Sequence, residues 1–292
     1  MNKMKRNILV GFSLILAVFL TSCSGGSKKS ATEETNKEVT IAMVNWIECI
    51  ANTHLAKAVL EQKGYEVELV NADVAPVFAA VAKGDADVFM EVWEPITHEP
   101  YMEKFGDQVE RLGVVYEEGL LGLVVPQYVE INSIDELNSA KGQFEGKIVG
   151  INPGAGIMSV TEKVIDEYNL DYELVTSSEA GMLASLKRAY DKEEAVVVTG
   201  WKPHTKFARY DLKILEDPKG TMGAAETISV IATNGWAEAN PELATFFSNF
   251  KMNDDNLGSL MLAIEENAGN EEEAALNWYN EHKTLVDSWF NE

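Results

Sequence analysis

Residues 39–93 decide the fold of this chain: VTIAMVNW (39–46), THLAKAVLEQKG (53–64), EVELVN (66–71), VFAAVAKG (77–84) and DVFMEVW (87–93). The first, third and fifth segments are short runs rich in β-branched and aliphatic residues, as strands are. The second and fourth space their apolar residues three and four apart, as helices with one buried face do. Strand, helix, strand, helix, strand is a βαβαβ unit. Such alternation implies a parallel sheet with helices on its faces.

A second unit of the same form begins at Lys147, with KIVGIN (147–152), SVTEKVIDEYN (159–169), YELVTS (172–177), AGMLASLKRAYDK (180–192) and EAVVVTGW (194–201). The units match in length: 47 residues separate Trp46 from Trp93, and 49 separate Asn152 from Trp201. Both end in Trp-x-Pro, as Trp93-Glu94-Pro95 and Trp201-Lys202-Pro203. Two similar lobes are therefore expected. Apolar runs at GLLGLVVP (119–126) and ETISVIATNGW (226–236) flank the second unit, as a double chain crossing between lobes requires. The expected division is 38–122 plus 232–292 for lobe 1 and 123–231, with the crossover segments, for lobe 2. From Asn240 onward the pattern is helical, and Trp278 and Trp289 sit among helix-spaced apolar residues, so packing is their expected role. Trp236 is expected to pack near the second crossing.

The first twenty-two residues have the parts of an export signal: Lys3, Lys5 and Arg6, then the apolar run ILVGFSLILAVFL (8–20), too short to span a bilayer comfortably. Leu20-Thr21-Ser22-Cys23 resembles the lipobox of bacterial lipoproteins, in which the cysteine is lipid-modified and becomes the mature N-terminus. Cys23 is thus the expected lipid attachment point. Residues 23–37 read as the lipidated cysteine and a flexible tether, since SGGSKKSATEETNK has almost no apolar content.

The formal charge of −23 becomes about −26 once the basic residues of the signal are removed. Nucleic-acid binding is disfavoured, because phosphate contacts need Lys and Arg. Adhesion to anionic lipid by charge is disfavoured too, which leaves an acyl chain as the expected membrane anchor. The acidic residues read mainly as a solvated surface. Only Cys49 remains as a thiol after Cys23, so no intrachain disulfide is expected, and Cys49 reads as a small buried apolar residue.

Trp46, Trp93 and Trp201 each close a strand-like segment. In an open parallel sheet, ligands bind outside the carboxyl ends of the strands. A single large aromatic is most often core. Three at equivalent positions, two on one lobe and one on the other, suggest an aromatic box between lobes that close like a hinge. The electron-rich face of indole attracts a diffuse cation best where water is excluded. That suits a methylated ammonium group, which offers no N–H to hydrogen-bond. The loop Asn152-Pro153-Gly154-Ala155-Gly156-Ile157 joins a strand to a helix, where free N–H groups and the positive helix end make an anion site. A carboxylate is the small anion that fits beside a cation box, and His98 can add a hydrogen bond to it from the opposite lobe.

The chain resembles the substrate-binding lipoproteins of ABC importers for glycine betaine and proline betaine. The resemblance runs from about residue 38 to the C-terminus. It is carried by Val92-Trp93-Glu94-Pro95-Ile96-Thr97-His98, Pro153-Gly154-Ala155-Gly156, Thr199-Gly200-Trp201-Lys202-Pro203-His204, Tyr210-Asp211-Leu212 and Leu215-Glu216-Asp217-Pro218-Lys219-Gly220. It implies an α/β, two-lobed fold like that of type II periplasmic binding proteins, each lobe a mostly parallel sheet flanked by helices, with the ligand cleft between lobes. It implies that Trp46, Trp93 and Trp201 enclose a trimethylammonium group. The carboxylate would be held by the N–H groups of Gly156 and Ile157 and by His98. The expected partners are a small zwitterionic quaternary amine, an ABC permease with its ATPase, and the membrane through the lipid anchor, giving an extracytoplasmic location. Where relatives often carry an aromatic after the second Trp-x-Pro-His, this chain has Thr205 and Lys206 before Phe207, which bears on the cleft rim. His204 is expected to support the site or cap a helix.

Choline or carnitine is the nearest alternative ligand within this class. A hydrolase of small esters is disfavoured: there is no Gly-x-Ser-x-Gly elbow and no His-Glu-x-x-His pair, and His54, His98, His204 and His282 are dispersed. No catalytic residue, metal or cofactor is expected. A surface lipoprotein acting in adhesion would instead have no small-molecule cleft.

Overall fold

Both units fold as their hydrophobic periods require. The computed structural model describes residues 37–291. The export signal, Cys23 and nearly all of the tether lie outside the described residues. The first unit runs β1 (Glu38–Met43), α1 (Ile47–Gln62), β2 (Glu66–Asn71), α2 (Val74–Lys83) and β3 (Val88–Glu94). Its strands pair in parallel, with β1 between β2 and β3. β3 is buried along nearly its whole length, as a central strand covered on both faces must be. α2 stops at Gly84, whose φ of 76° is left-handed, a conformation that costs glycine least.

α3 (Glu99–Phe105) leads into β4 (Val109–Pro126), an 18-residue strand. After α4 (Leu137–Ala140), the second unit repeats the first: β5 (Lys147–Val149), α5 (Gly156–Glu167), β6 (Glu173–Val175), α6 (Glu179–Tyr190) and β7 (Val198–Lys202). β5 again lies between its two parallel neighbours, β6 and β7. The Ser178 side chain caps α6 by accepting the Gly181 N–H at 3.1 Å. The short α7 (Lys206–Arg209) and β8 (Leu212–Ile214) precede β9 (Glu226–Thr233).

β4 and β9 join the lobes. β4 pairs antiparallel with β9 from Val109 to Gly119, then with β7 from Leu120 to Val124 and with β8 to Pro126. β9 is hydrogen-bonded to β3 on one side and β4 on the other. One curled sheet results, in the order β2-β1-β3-β9-β4-β7-β5-β6. The change of partner falls at Gly119–Leu120, and β9 starts at Glu226. α8 (Trp236–Ala239), α9 (Pro241–Asn249), α10 (Asp254–Glu266), α11 (Glu271–Glu281) and α12 (Lys283–Asp287) complete the chain. α10 and α11 pack on α1, so the C-terminal segment covers the first lobe. Trp278 and Trp289 are buried there: Trp278 stacks on His282 and Trp289 packs against Phe250. Cys49 is buried, and burial pushes its thiol well above the usual range.

Candidate functional site

The cavity is built where strands run out. β1 ends at Met43, and three residues later Trp46 caps the start of α1. Trp93 is the penultimate residue of β3, and Trp201 the penultimate residue of β7. Gly156 and Ile157 open α5. These five residues, two from the start of the second unit's helix, two from strand ends and Trp46 from the start of α1, line one small cavity together with Glu48, Thr97, Leu121, Ile151 and Ala155. All three indoles are buried, as core aromatics are, yet each gives surface to the same space. The Trp-x-Pro motifs share one backbone feature, since the bond before Pro95 and that before Pro203 are both cis.

Close backbone approach shapes two walls. A Cβ on Gly156 would overlap the Thr97 carbonyl, so glycine lets α5 come up against the loop after β3. A Cβ on Gly119 would stand 2.7 Å from the Trp93 ring, so the crossing strand leaves room for that indole. As the first residues of α5, Gly156 and Ile157 have N–H groups with no acceptor one turn earlier. Two further bonds tie the units together: the Tyr101 hydroxyl donates to the Gly154 carbonyl at 2.7 Å, and the Asn152 amide to Asp73 at 3.3 Å.

His98 lies beside the cavity rather than in its wall. Its ring stacks on Trp46 at 5.9 Å and meets Phe78 edge-on at 5.4 Å. Its Nδ1 accepts the Trp93 N–H at 3.0 Å, which leaves the proton on Nε2. Nε2 is buried without a partner. Burial pushes the imidazole down to about 3, so the ring is neutral at physiological pH and offers one unused N–H donor.

Glu226 was not singled out by its sequence. It stands at the start of β9, buried, and its carboxylate accepts the N–H groups of Ile96 at 2.8 Å and Thr97 at 2.9 Å and the Thr97 hydroxyl at 2.5 Å. The crossing strand thereby holds the loop that carries Thr97 and His98. No local pattern marks such a residue, because its partners are about 130 positions away in the chain.

A group of buried ionisable side chains surrounds the indoles. The Trp93 indole N–H donates to Glu91 at 2.7 Å. Glu48 lines the cavity, and burial pushes its carboxyl up to about 7, against the pull of its own backbone N–H, the Trp201 indole and Lys206. Burial, then the neighbouring Glu48, pushes Glu91 and Glu179 well above the usual carboxylate range. His204 does not line the cavity. Its Nδ1 accepts the Lys206 N–H at the start of α7 at 3.0 Å, its Nε2 lies 3.2 Å from Glu179, and burial holds it neutral. Among the described residues, no cluster of His, Cys, Asp and Glu could hold a metal ion, and no helix is long and apolar enough to cross a membrane.

Comparison with known proteins gives a consistent result. The family described as the substrate binding domain of ABC-type glycine betaine transport systems matches residues 37–281. The chain is 37% identical over 150 residues to the glycine betaine/carnitine transport binding protein GbuC of Listeria monocytogenes, a match covering 50% of each protein. Among solved structures, lactococcal OpuAC, in its closed-liganded conformation with glycine betaine, is 36% identical with a TM-score of 0.83, covering 87% of this chain and 99% of that one. The glycine/betaine/L-proline-binding protein ProX from Borrelia burgdorferi is 35% identical with a TM-score of 0.84, covering 86% and 96%.

Proposed function

The chain belongs to the family of substrate-binding domains of ABC-type glycine betaine transport systems, and from that premise we infer that it captures glycine betaine or proline betaine outside the cytoplasm and delivers it to an ABC permease and its ATPase. The observation that carries this reading is the convergence of Trp46, Trp93 and Trp201 with the first turn of α5 on one small cavity. The trimethylammonium group lies among the three indoles. Its carboxylate takes the N–H groups of Gly156 and Ile157, and the free Nε2–H of His98 supports that end from the other lobe. A neutral imidazole suits this role, because it donates without adding a second cation to the site.

The magnitudes fit reversible capture. A desolvated cation–π contact gives about 2 kcal/mol, and a hydrogen bond to a charged carboxylate about 1.5–3 kcal/mol. Immobilising the ligand and ordering the cleft removes several kcal/mol of that gross total, which leaves roughly micromolar binding. A receptor that must release its cargo needs nothing tighter. The lobe division, with the cleft closing on the ligand, belongs to the same proposal. So does anchorage of the mature chain to the membrane through lipid on Cys23, supported by the Leu20-Thr21-Ser22-Cys23 sequence.

Calorimetric titration of the purified protein with glycine betaine, proline betaine, carnitine and choline tests the reading. A micromolar dissociation constant for a betaine and a change in tryptophan fluorescence are expected. No heat, no fluorescence change and no thermal stabilisation with any betaine would overturn it.

A further inference from the structure

Behind the aromatic wall stands a charge that capture of a zwitterion does not require. Lys206, the first residue of α7, is 1% exposed. Its ammonium nitrogen lies 4.2 Å from the centre of the Trp201 ring, 5.3 Å from that of Phe207 and 3.5 Å from the Trp201 carbonyl. Trp201 is part of the cavity wall and Lys206 is not, and the ammonium sits over the face of that indole. The attraction of a cation to indole is the attraction of a positive charge to the ring's π electrons. A cation already seated on the ring draws on those electrons and repels a second cation on the far side.

We propose that Lys206 is a specificity-determining residue of this site: its ammonium, seated on Trp201, penalises a ligand whose positive charge has no negative partner and so sets the box for zwitterions. The proposal rests on the reading that the cavity takes a methylated ammonium. With 4.2 Å on one side of the ring and a similar stand-off on the other, the two cations sit about 8 Å apart. In a zwitterion the carboxylate at the α5 end offsets most of the repulsion. A net cation of the same shape carries no such partner.

Lys206 faces acidic groups from several elements, and these temper its charge. Glu179 of α6 and Glu48 of α1 hold its proton against burial, which pushes it down to about 7. Glu91 of β3 bears on Glu48, and His204 before α7 is neutral. Glu265 of α10 bears on Glu179 and pairs with Arg209 at 3.2 Å. At an effective dielectric of about 20, two unit charges about 8 Å apart change an affinity by more than tenfold. With the carboxyl groups offsetting part of this, a change of about tenfold in selectivity is expected.

Full-length wild type, Lys206→Met and Lys206→Gln are titrated calorimetrically with glycine betaine and choline at pH 6. Met keeps the length and bulk of the side chain, and Gln keeps a donor for the Trp201 carbonyl. In both variants the choline-to-betaine ratio of dissociation constants is expected to fall about tenfold, through tighter choline binding. A ratio within twofold of wild type in a folded variant overturns the proposal and leaves betaine capture standing. Should neither variant fold, Glu48→Gln, in which the cavity's own carboxyl no longer titrates, is titrated at pH 6 and pH 8.5, and a ratio that does not narrow as the ammonium loses its proton overturns the proposal. A wild type that binds neither ligand removes both this proposal and the reading beneath it.

Discussion

Gly156 and Thr97 meet with no side chain between them: the α-carbon of Gly156 packs so closely on the Thr97 carbonyl that a methyl group there would overlap the oxygen. One residue opens a helix of the second unit and the other stands in the loop after β3, so this contact sets how closely the two units approach around the cavity.

Gly156→Ala is therefore expected to weaken glycine betaine binding far more than it weakens the fold. Forcing a methyl into a packed contact costs about 1–3 kcal/mol, which is roughly five- to 150-fold in affinity if the units must part to accept it. Titration calorimetry beside a urea melt separates the two effects. Equal loss in affinity and in unfolding free energy would count against a role in closure.

At Trp201, packing and cation binding can be separated by choosing the replacement. Trp201→Phe keeps an aromatic face and is expected to weaken betaine binding mildly. Trp201→Leu keeps apolar bulk without the face and loses about 2 kcal/mol of binding, roughly thirtyfold. Both leave a cavity and lower the melting temperature by similar amounts. Equal affinities for the two variants would contradict the box.

The buried state of His98 has a signature in acid. Unfolded, its imidazole takes up a proton near 6.5; folded, burial holds it to about 3. Between those values the unfolded chain binds a proton that the folded chain refuses. This contribution to stability is complete above pH 6.5 and is lost as pH falls toward 3, by about 1.4 kcal/mol per pH unit. Urea midpoints of wild type and His98→Phe, compared from pH 7 to pH 4, should shift against wild type as pH falls. A constant difference would show that the ring titrates as an exposed histidine does. His98→Phe should also weaken betaine more than choline, because only betaine has a carboxylate to lose the donor.

Glu226→Gln tests the hold of β9 on the loop after β3. An amide keeps one acceptor oxygen where the carboxylate serves the Ile96 and Thr97 N–H groups and the Thr97 hydroxyl with two. Stability is expected to fall by about 1–3 kcal/mol with weaker ligand binding, read from urea midpoints and calorimetry. An unchanged midpoint would mean that the loop holds itself.

The two βαβαβ units were legible because hydrophobic period is a local property: the residues that make a strand alternate with those that make a helix, and their neighbours in sequence suffice to show it. The positions of Trp93 and Trp201 followed from strand ends, and Gly156 from a strand-to-helix turn, whereas Trp46, read as closing a strand, lies three residues beyond β1 at the start of α1. The fate of the charges was not legible. In a chain this acidic, Glu48, Glu91, Glu179 and Glu226 read as surface, yet the fold buries all four around the cavity. Lys206, expected to bear on the cleft rim, lies under an indole. His98 was expected to reach the ligand's carboxylate, and the proton position that would let it do so follows from a bond to the Trp93 backbone. Burial, proton placement and the approach of one backbone to another are set by residues distant in sequence. They become definite only when β4 and β9 carry the chain from one lobe to the other and back.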